Sequence, residues 1–336
     1  MKILITGGSG NVGTALTRRL VKKGWDVRVL GLEAEADLPG ATYIHGDIMD
    51  YATVVNAVQD RDAVIHLAAI ANPMRFPAPK TFEVNVAGTY NVFEAAANAG
   101  ISRVVQASSI NAFGCFWGTV EISPQYLPID EAHPTHTTDV YSFSKQMVEE
   151  IADYYWRRAG ISSASFRFPG VWTAARIENS DRATQKAAAR ATLEELLGLS
   201  DSERAARLEQ IRDWSDDYRS RKQMEHPAAQ NGFAPAPYTD DPLWQMYTFQ
   251  RFNFFAYIHE EDSAQAMEKA VTAEYSGAHP LFVNSAYNSA DYDAQTLARL
   301  FFPDSELRAG ELGDAAALVS INKARKLIGF KPEHVL

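Results

Sequence analysis

Through the first half of this 336-residue chain, short runs of consecutive apolar residues alternate with longer stretches that are apolar at every third or fourth position. Ile3 to Thr6, Asp26 to Leu30, Thr42 to Ile44, Ala63 to Leu67 and Arg103 to Ala107 read as buried strands. Val12 to Lys23, Tyr51 to Gln59 and Val86 to Asn98 read as the helices between them. Such alternation predicts an α/β fold, a doubly wound parallel sheet covered on both faces, with its ligand at the carboxyl ends of the strands.

The pattern changes after residue 173. Residues 174–245 are polar, rich in Ala, Glu and Arg, and hold no convincing strand. Ser180 to Leu197 reads as a helix stopped by Gly198, and Ser200-Asp201-Ser202-Glu203 is a capping-box pattern opening a second helix through about Trp214. A loop rich in Pro, Gly and Asn follows from Pro227 to Pro242, and strand-like sequence returns at Phe252 to Ile258 and Leu281 to Asn284. Three portions result: 1–173 for nucleotide binding, 174–245 as a helical insertion, and 246–336 as a smaller, mostly helical C-terminal portion expected to bind the substrate.

Composition narrows the choices. At 46% hydrophobic residues the chain can bury a full core. The formal charge of −10, from 32 basic and 42 acidic side chains, and the lack of a Lys/Arg run argue against a nucleic-acid partner. No apolar run is long enough to span a bilayer and the chain opens on a core strand, so a cytoplasmic protein without a membrane partner is expected. The single cysteine, Cys115, reads as a small buried residue. None of the eight histidines has the spacing of a metal site, so no metal is expected; His133 and His136 share a proline-containing loop and are expected to be solvated.

Two motifs carry chemistry. The first strand runs into Gly7-Gly8-Ser9-Gly10-Asn11-Val12-Gly13, where glycines allow a sharp turn, close approach to a pyrophosphate and a helix whose N-terminus faces that anion. Far downstream stands Tyr141-Ser142-Phe143-Ser144-Lys145. Its Tyr and Lys, four apart, lie on one helix face, so the ammonium can ease ionisation of the phenol. A nucleotide cradle with an activated phenol points to hydride transfer.

With these motifs in this order, the chain resembles the extended short-chain dehydrogenase/reductase family, also called the NAD-dependent epimerase/dehydratase family, closely over 1–173 and loosely over 252–333. The resemblance implies a Rossmann-type fold and a catalytic Ser109, Tyr141 and Lys145, Ser109 being selected by counting back from Gly114. It implies that Ser109 hydrogen-bonds the substrate oxygen, Tyr141 exchanges the proton, and Lys145 binds the nicotinamide ribose while lowering the phenol's pKa. Cofactor contacts carried over are Gly7, Gly10, Asn11, Val12 and Gly13 at the turn, Asp47 and Ile48 at adenine, Ala68 and Ala69 under the ribose, Asn85 as a brace, and Phe168, Gly170 and Val171 beside nicotinamide.

Departures from the family pattern refine this. Gly31 occupies the place of the ribose-binding acid at the end of the second strand; Glu33 and Glu35 follow, and no Arg or Lys occurs between Arg28 and Arg61. NAD is therefore expected, and NADP would need Arg18, Arg19 or a residue of the cap to reach its 2′-phosphate. Ile110-Asn111 replaces the Asp-Glu pair of sugar-nucleotide dehydratases, and Pro169-Gly170 follows Arg167-Phe168 where epimerases usually carry Asn. The loop from Ser109 to Tyr141 is long and aromatic, with Phe113, Phe116, Trp117 and Tyr126, and suits a sugar ring or a plain packed loop.

The expected activity is hydride transfer at a secondary alcohol or ketone carbon of a sugar or sugar-derived substrate, with a sugar epimerase as the alternative and a silent dinucleotide sensor as a third reading. The insertion at 174–245 reads as a cap that orders over the substrate, against a solvated hairpin. A homodimer is expected through Val86 to Asn98 and Ser144 to Arg158, using Val92, Phe93, Met147, Ile151 and Tyr155.

Overall fold

The computed structural model describes residues 1–231, 236–308, 310 and 312–335. Its strands are β1 (Lys2–Thr6), β2 (Asp26–Gly31), β3 (Thr42–His45), β4 (Ala63–His66), β5 (Arg103–Ala107), β6 (Tyr126–Leu127), β7 (Ser162–Arg167), β8 (Gly170–Trp172), β9 (Tyr257–His259), β10 (Ala278–Phe282) and β11 (Glu306–Leu307). Its α-helices are α1 (Asn11–Lys22), α2 (Tyr51–Val58), α3 (Ala78–Phe82), α4 (Gly88–Asn98), α5 (Val140–Ala159), α6 (Ala174–Glu178), α7 (Arg182–Gly198), α8 (Asp201–Ser220), α9 (Pro242–Gln245), α10 (Glu260–Thr272), α11 (Ala294–Phe301) and α12 (Asn322–Ile328).

Seven parallel strands form the central sheet in the order β10-β7-β5-β4-β1-β2-β3. Alternate side chains divide between its two faces, as a pleated strand requires. Ile3 and Ile5 of β1 pack with Ala15, Leu16 and Leu20 of α1 and with Ala264 and Met267 of α10. Leu4, between them, packs with Val54 of α2, Phe93 of α4 and Tyr155 of α5. This is the doubly wound Rossmann arrangement, and it sets Thr6, His66, Ala107 and Arg167 at one edge, where the strands end.

A further apolar cluster lies under the helical insertion. Leu193 and Leu196 of α7, Ile211 of α8 and Trp244 of α9 are buried with Phe113, Phe252, Phe254, Phe255 and Phe301. The capping box of α8 is present, with the Ser200 side chain on the Glu203 amide and the Glu203 carboxylate on the Ser200 amide.

Three differences from the sequence expectation have physical causes. Phe252 to Ile258 is largely a turn, with φ of 53° and 52° at Phe254 and Phe255, and only Tyr257–His259 pairs as a strand; the apolar run is buried in a bend rather than on a sheet. The last sheet strand starts earlier than Leu281 because Pro280 is tolerated at an edge, where no partner needs its missing N–H. The helix expected from Val86 starts at Ala78, with a π turn at Glu83–Ala87 that joins α3 to α4.

His133 is a correction: it is 3% exposed, not solvated. Its Nε2 accepts from the Gln125 amide at 2.8 Å, leaving Nδ1 to donate to the Pro134 carbonyl, while His136 is exposed. Cys115 is buried, and burial pushes its thiol up to about 12. Val92, Phe93 and Tyr155, expected at a subunit interface, are fully buried inside the protomer. Among the described residues no helix is long and apolar enough to cross a membrane, and no three His, Cys, Asp or Glu side chains gather as a metal site would need.

Candidate functional site

The glycine turn takes its shape from atoms that leave no room for side chains. Gly7 has φ +71°, and a Cβ there would lie 2.7 Å from the Ala68 amide nitrogen; one on Gly13 would fall on the Gly7 carbonyl and Gly8 backbone. The turn therefore presses against the end of β4 and starts α1 at Asn11, with the free N–H groups of its first turn facing a cleft of about 590 Å³. These features fit a dinucleotide pyrophosphate.

A chain of hydrogen bonds ties this turn to the helix carrying Tyr141. Thr89 Oγ1 donates to the Asn85 carbonyl at 2.6 Å, so it accepts from His66 Nε2 at 2.9 Å, and His66 Nδ1 then accepts from Thr6 Oγ1 at 2.7 Å. The Asn85 amide grips the backbone of Ile70 from both sides, at 2.7 and 3.0 Å, and donates to Ser144 Oγ at 3.0 Å. Asn85 lies in the π turn, and the brace needs it 1% exposed and aimed inward. Burial holds His66 neutral, its pKa lowered to about 3, with the Lys145 charge adding to the effect.

Ser109, Tyr141 and Lys145 converge on the same cleft. Asp139 caps α5 by accepting from the Ser142 amide at 2.9 Å, which starts the helix just before Tyr141. Ser109 caps the 3-10 turn at Ile110–Phe113, and its hydroxyl beside the phenol partly offsets the desolvation of Tyr141. Neighbouring Ser108 is committed elsewhere, donating to Glu149 at 2.7 Å; Glu149 in turn receives Arg167 through Nε at 3.0 Å and Nη2 at 2.8 Å.

One electrostatic expectation is corrected here. Burial pushes Tyr141 up to about 12 instead of down, because desolvation outweighs the Ser109 contact. Burial likewise lowers Lys145 to about 8, and its ammonium donates to the Ala107 carbonyl at 2.8 Å, 5.9 Å from the centre of the Tyr141 ring. With that shift the phenol is protonated at neutral pH.

Of the cofactor residues read from the sequence, Gly7, Gly10, Asn11, Val12, Gly13, Ala69, Tyr141, Lys145, Phe168, Gly170 and Val171 line this cleft. Asp47, Ile48, Ala68, Glu33 and Asn85 do not. Asp47 caps the Met49 amide at 2.9 Å, Ile48 packs on Gly88, and Ala68 supports Gly7. Glu33 stands at the turn, accepting from Ser9 Oγ at 2.8 Å, and its Oε2 lies 3.0 Å from where a side chain on Gly31 would begin. The acid missing from position 31 is thus replaced in space by one two residues later. Arg18 and Arg19 are turned to α10, paired with Glu261 and Glu268.

Of the loop aromatics, Phe116 and Trp117 reach the cleft, Phe113 is fully buried, and Tyr126 lies under Arg308. Arg75 and Asn253 also line the cleft and were not expected there, and Asn111, noted in the sequence only as a departure from the dehydratase pair, joins them. No periodicity marks them, since all three stand in loops or short turns. At Phe116, Gly170 and Asn253 the cleft adjoins a second cavity of about 750 Å³ between α7, the β8 strand and the Met246–Ala256 segment.

Fold and cleft together define a protein of the Rossmann dinucleotide-binding class. Comparison with known proteins carries this further: the profile of the NAD dependent epimerase/dehydratase family matches residues 3–217, and the chain belongs to that family. It is 32% identical over 177 residues to a UDP-glucose 4-epimerase of Lactobacillus helveticus, covering 50% of this chain and 51% of that one. It is also 32% identical over 171 residues to a uronate dehydrogenase of Pseudomonas putida, covering 49% and 59%. The match thus spans about half the length of these relatives. Among solved structures, a short-chain dehydrogenase/reductase superfamily protein from Agrobacterium tumefaciens with bound NAD superposes with a TM-score of 0.63 at 19% identity, covering 100% of this chain and 93% of that one. At that identity the likeness is one of fold.

Proposed function

We propose that the protein is an NAD-dependent oxidoreductase acting at a secondary alcohol or ketone carbon of a sugar or sugar-derived substrate, with Tyr141 as acid/base. The observation that carries it is the meeting of Ser109, Tyr141 and Lys145 at one cleft with the glycine turn. NAD, when bound, supplies the hydride acceptor or donor. Asn11 to Gly13 would hold its pyrophosphate, Glu33 a ribose, Asp47 and Ile48 the adenine, and Phe168 to Val171 the nicotinamide side. Ser109 orients the substrate oxygen, Tyr141 takes or returns the hydroxyl proton, and Lys145 holds positive charge beside it. Glu33 and the engaged Arg18 and Arg19 favour NAD over NADP, whose 2′-phosphate would meet the carboxylate.

Epimerisation uses the same residues and is the second reading, supported by the likeness to UDP-glucose 4-epimerases. Assaying sugars with NAD by absorbance at 340 nm separates the two: a dehydrogenase accumulates NADH, while an epimerase converts the sugar without net change in the cofactor. Y141F is expected to bind NAD as the wild type does and to lose at least 100-fold in rate; near-wild-type turnover would remove Tyr141 from the chemistry. A homodimer, still expected from α4 and α5, would have to use Tyr90, Phe143 and Tyr154, which are exposed.

A further inference from the structure

A serine hydroxyl has one proton to give and two lone pairs that can accept. Both lone pairs of Ser109 meet donors, and both donors belong to Asn111: its backbone N–H at 3.1 Å and its side-chain Nδ2 at 3.3 Å. The two residues are buried yet line the cleft together with Tyr141. With its lone pairs engaged, the Ser109 oxygen has one hydrogen bond left to make, the one its own proton makes. That hydroxyl stands beside the Tyr141 phenol, where burial raises the phenol's pKa and the Ser109 contact works against the rise.

Which end of an amide donates is decided by its partners. Asn111 Oδ1 lies 3.1 Å from the Phe116 amide nitrogen. A backbone N–H only donates, so the atom facing it is the carbonyl oxygen and the atom facing Ser109 is the NH2 group. The 3-10 turn Ile110–Phe113 ends at Gly114 with φ +107°, a conformation open to glycine, and the chain returns to set the Phe116 amide on Asn111. The Phe116 peptide is also held from its other side, its carbonyl accepting from Arg219 Nη1 at 3.3 Å. The orientation of the Asn111 amide is therefore fixed by main chain that is itself fastened.

We propose that Asn111 is a positioning residue that fixes Ser109 as a donor only, so that the serine can hydrogen-bond the substrate oxygen but cannot take its proton, and exchange of that proton falls to Tyr141 alone. The proposal rests on the oxidoreductase reading for its substrate oxygen. A hydroxyl with a free lone pair could turn to accept from an alcohol O–H, holding that proton away from Tyr141. Filling the lone pairs removes this orientation. Ser109 then offers a donor already aimed at an oxygen that gains negative charge during the reaction, with no reorientation left to perform.

N111D tests this by exchanging one NH2 group for an oxygen. Its Oδ1 can still accept from Phe116, but the second carboxylate oxygen faces Ser109 and draws its proton away from the substrate. With a sugar that the wild type turns over, N111D is expected to lose on the order of 100-fold in kcat, as for the loss of one oxyanion donor, while KM and NAD affinity change by about two-fold at most. S109A should lose as much, and S109A/N111D no more than S109A, since Asn111 acts through the serine. A kcat near that of the wild type in N111D, or losses that multiply in the double variant, would overturn the assignment and leave the oxidoreductase reading standing. Urea unfolding of the same four proteins needs no substrate. S109A should lower the midpoint further in the N111D background than in the wild type, because there it removes a charge-assisted bond. Equal shifts would overturn the assignment. Unequal shifts in a protein that neither reduces NAD nor converts any sugar would leave Ser109 a donor and overturn the oxidoreductase reading.

Discussion

At the scale of single residues, burial dominates the site's electrostatics, and its signs can be measured. His66 has a folded pKa of about 3 against an ordinary 6.5, so the unfolded chain binds the extra proton between those values. Stability is then fully present above about pH 6.5 and falls as the pH drops towards 3. We expect H66Q to flatten this part of the acid-denaturation profile relative to the wild type, checked by urea unfolding at several pH values between 4 and 7. An unchanged slope would mean that His66 is protonated in the native state. Lys145 is depressed from 10.5 to about 8. Unfolding releases this group to bind a proton in that window, so stability should rise from pH 8 to 10.5 and K145M should lack the rise. Ribose binding by the ammonium should weaken over the same interval, which a titration of NAD affinity against pH would reveal. The glycine turn is equally exacting: G13A sets a methyl on the backbone of Gly7 and Gly8 and should lower stability by roughly 1–3 kcal/mol and NAD affinity at least ten-fold.

These residues differ in how legible they were. Gly7, Gly13, Tyr141 and Lys145 could be read from spacing because turn geometry and helical periodicity act over a few positions. The role of Glu33 was only half visible: the sequence shows an acid two places late, but not that Tyr43 and Ser9 fold its carboxylate back to Gly31. Arg75 and Asn253 carried no local signal at all, since each lines the cleft from an irregular segment or short turn without a period.

At the scale of elements, the alternating strands and helices of the first half were legible to within a residue or two except at the start of the helix through Val86, which begins at Ala78, because a buried parallel strand and an amphipathic helix have distinct periods. The end of α8 was not. Its sequence turns acidic at Asp216-Asp217, yet the helix continues to Ser220 because Arg219 enters the core. Arg219 is 1% exposed, lies 3.7 Å from the centre of the Phe252 ring, and donates to the carbonyls of Cys115, Phe116 and Gly118. The insertion is thereby fastened to the loop that presents Phe116 and Trp117. R219M should free that loop, lower the melting temperature and raise KM more than it lowers kcat; a KM unchanged beside a lower melting temperature would make Arg219 a stability residue only. Hydrogen exchange should likewise divide the insertion. α8 should be protected with or without substrate, whereas gains on substrate binding should fall in residues 174–189, where α6 buries no residue and α7 only begins to.

At the scale of the whole molecule, the seven-stranded sheet is completed by β10, which pairs with Ser163–Arg167 of β7 from a position over a hundred residues further on. Every residue of β7 is buried. A chain emerging from the ribosome therefore has its glycine turn, Tyr141 and Lys145 in hand while one margin of its central sheet is still bare, an adhesive edge for any neighbouring nascent chain. Helices α6 to α9 must be made before that edge is closed. Synthesis thus has a vulnerable interval whose length is set by the insertion, and a fragment ending at residue 173 is expected to be recovered in aggregates, with solubility restored when residues 246–336 are supplied in trans.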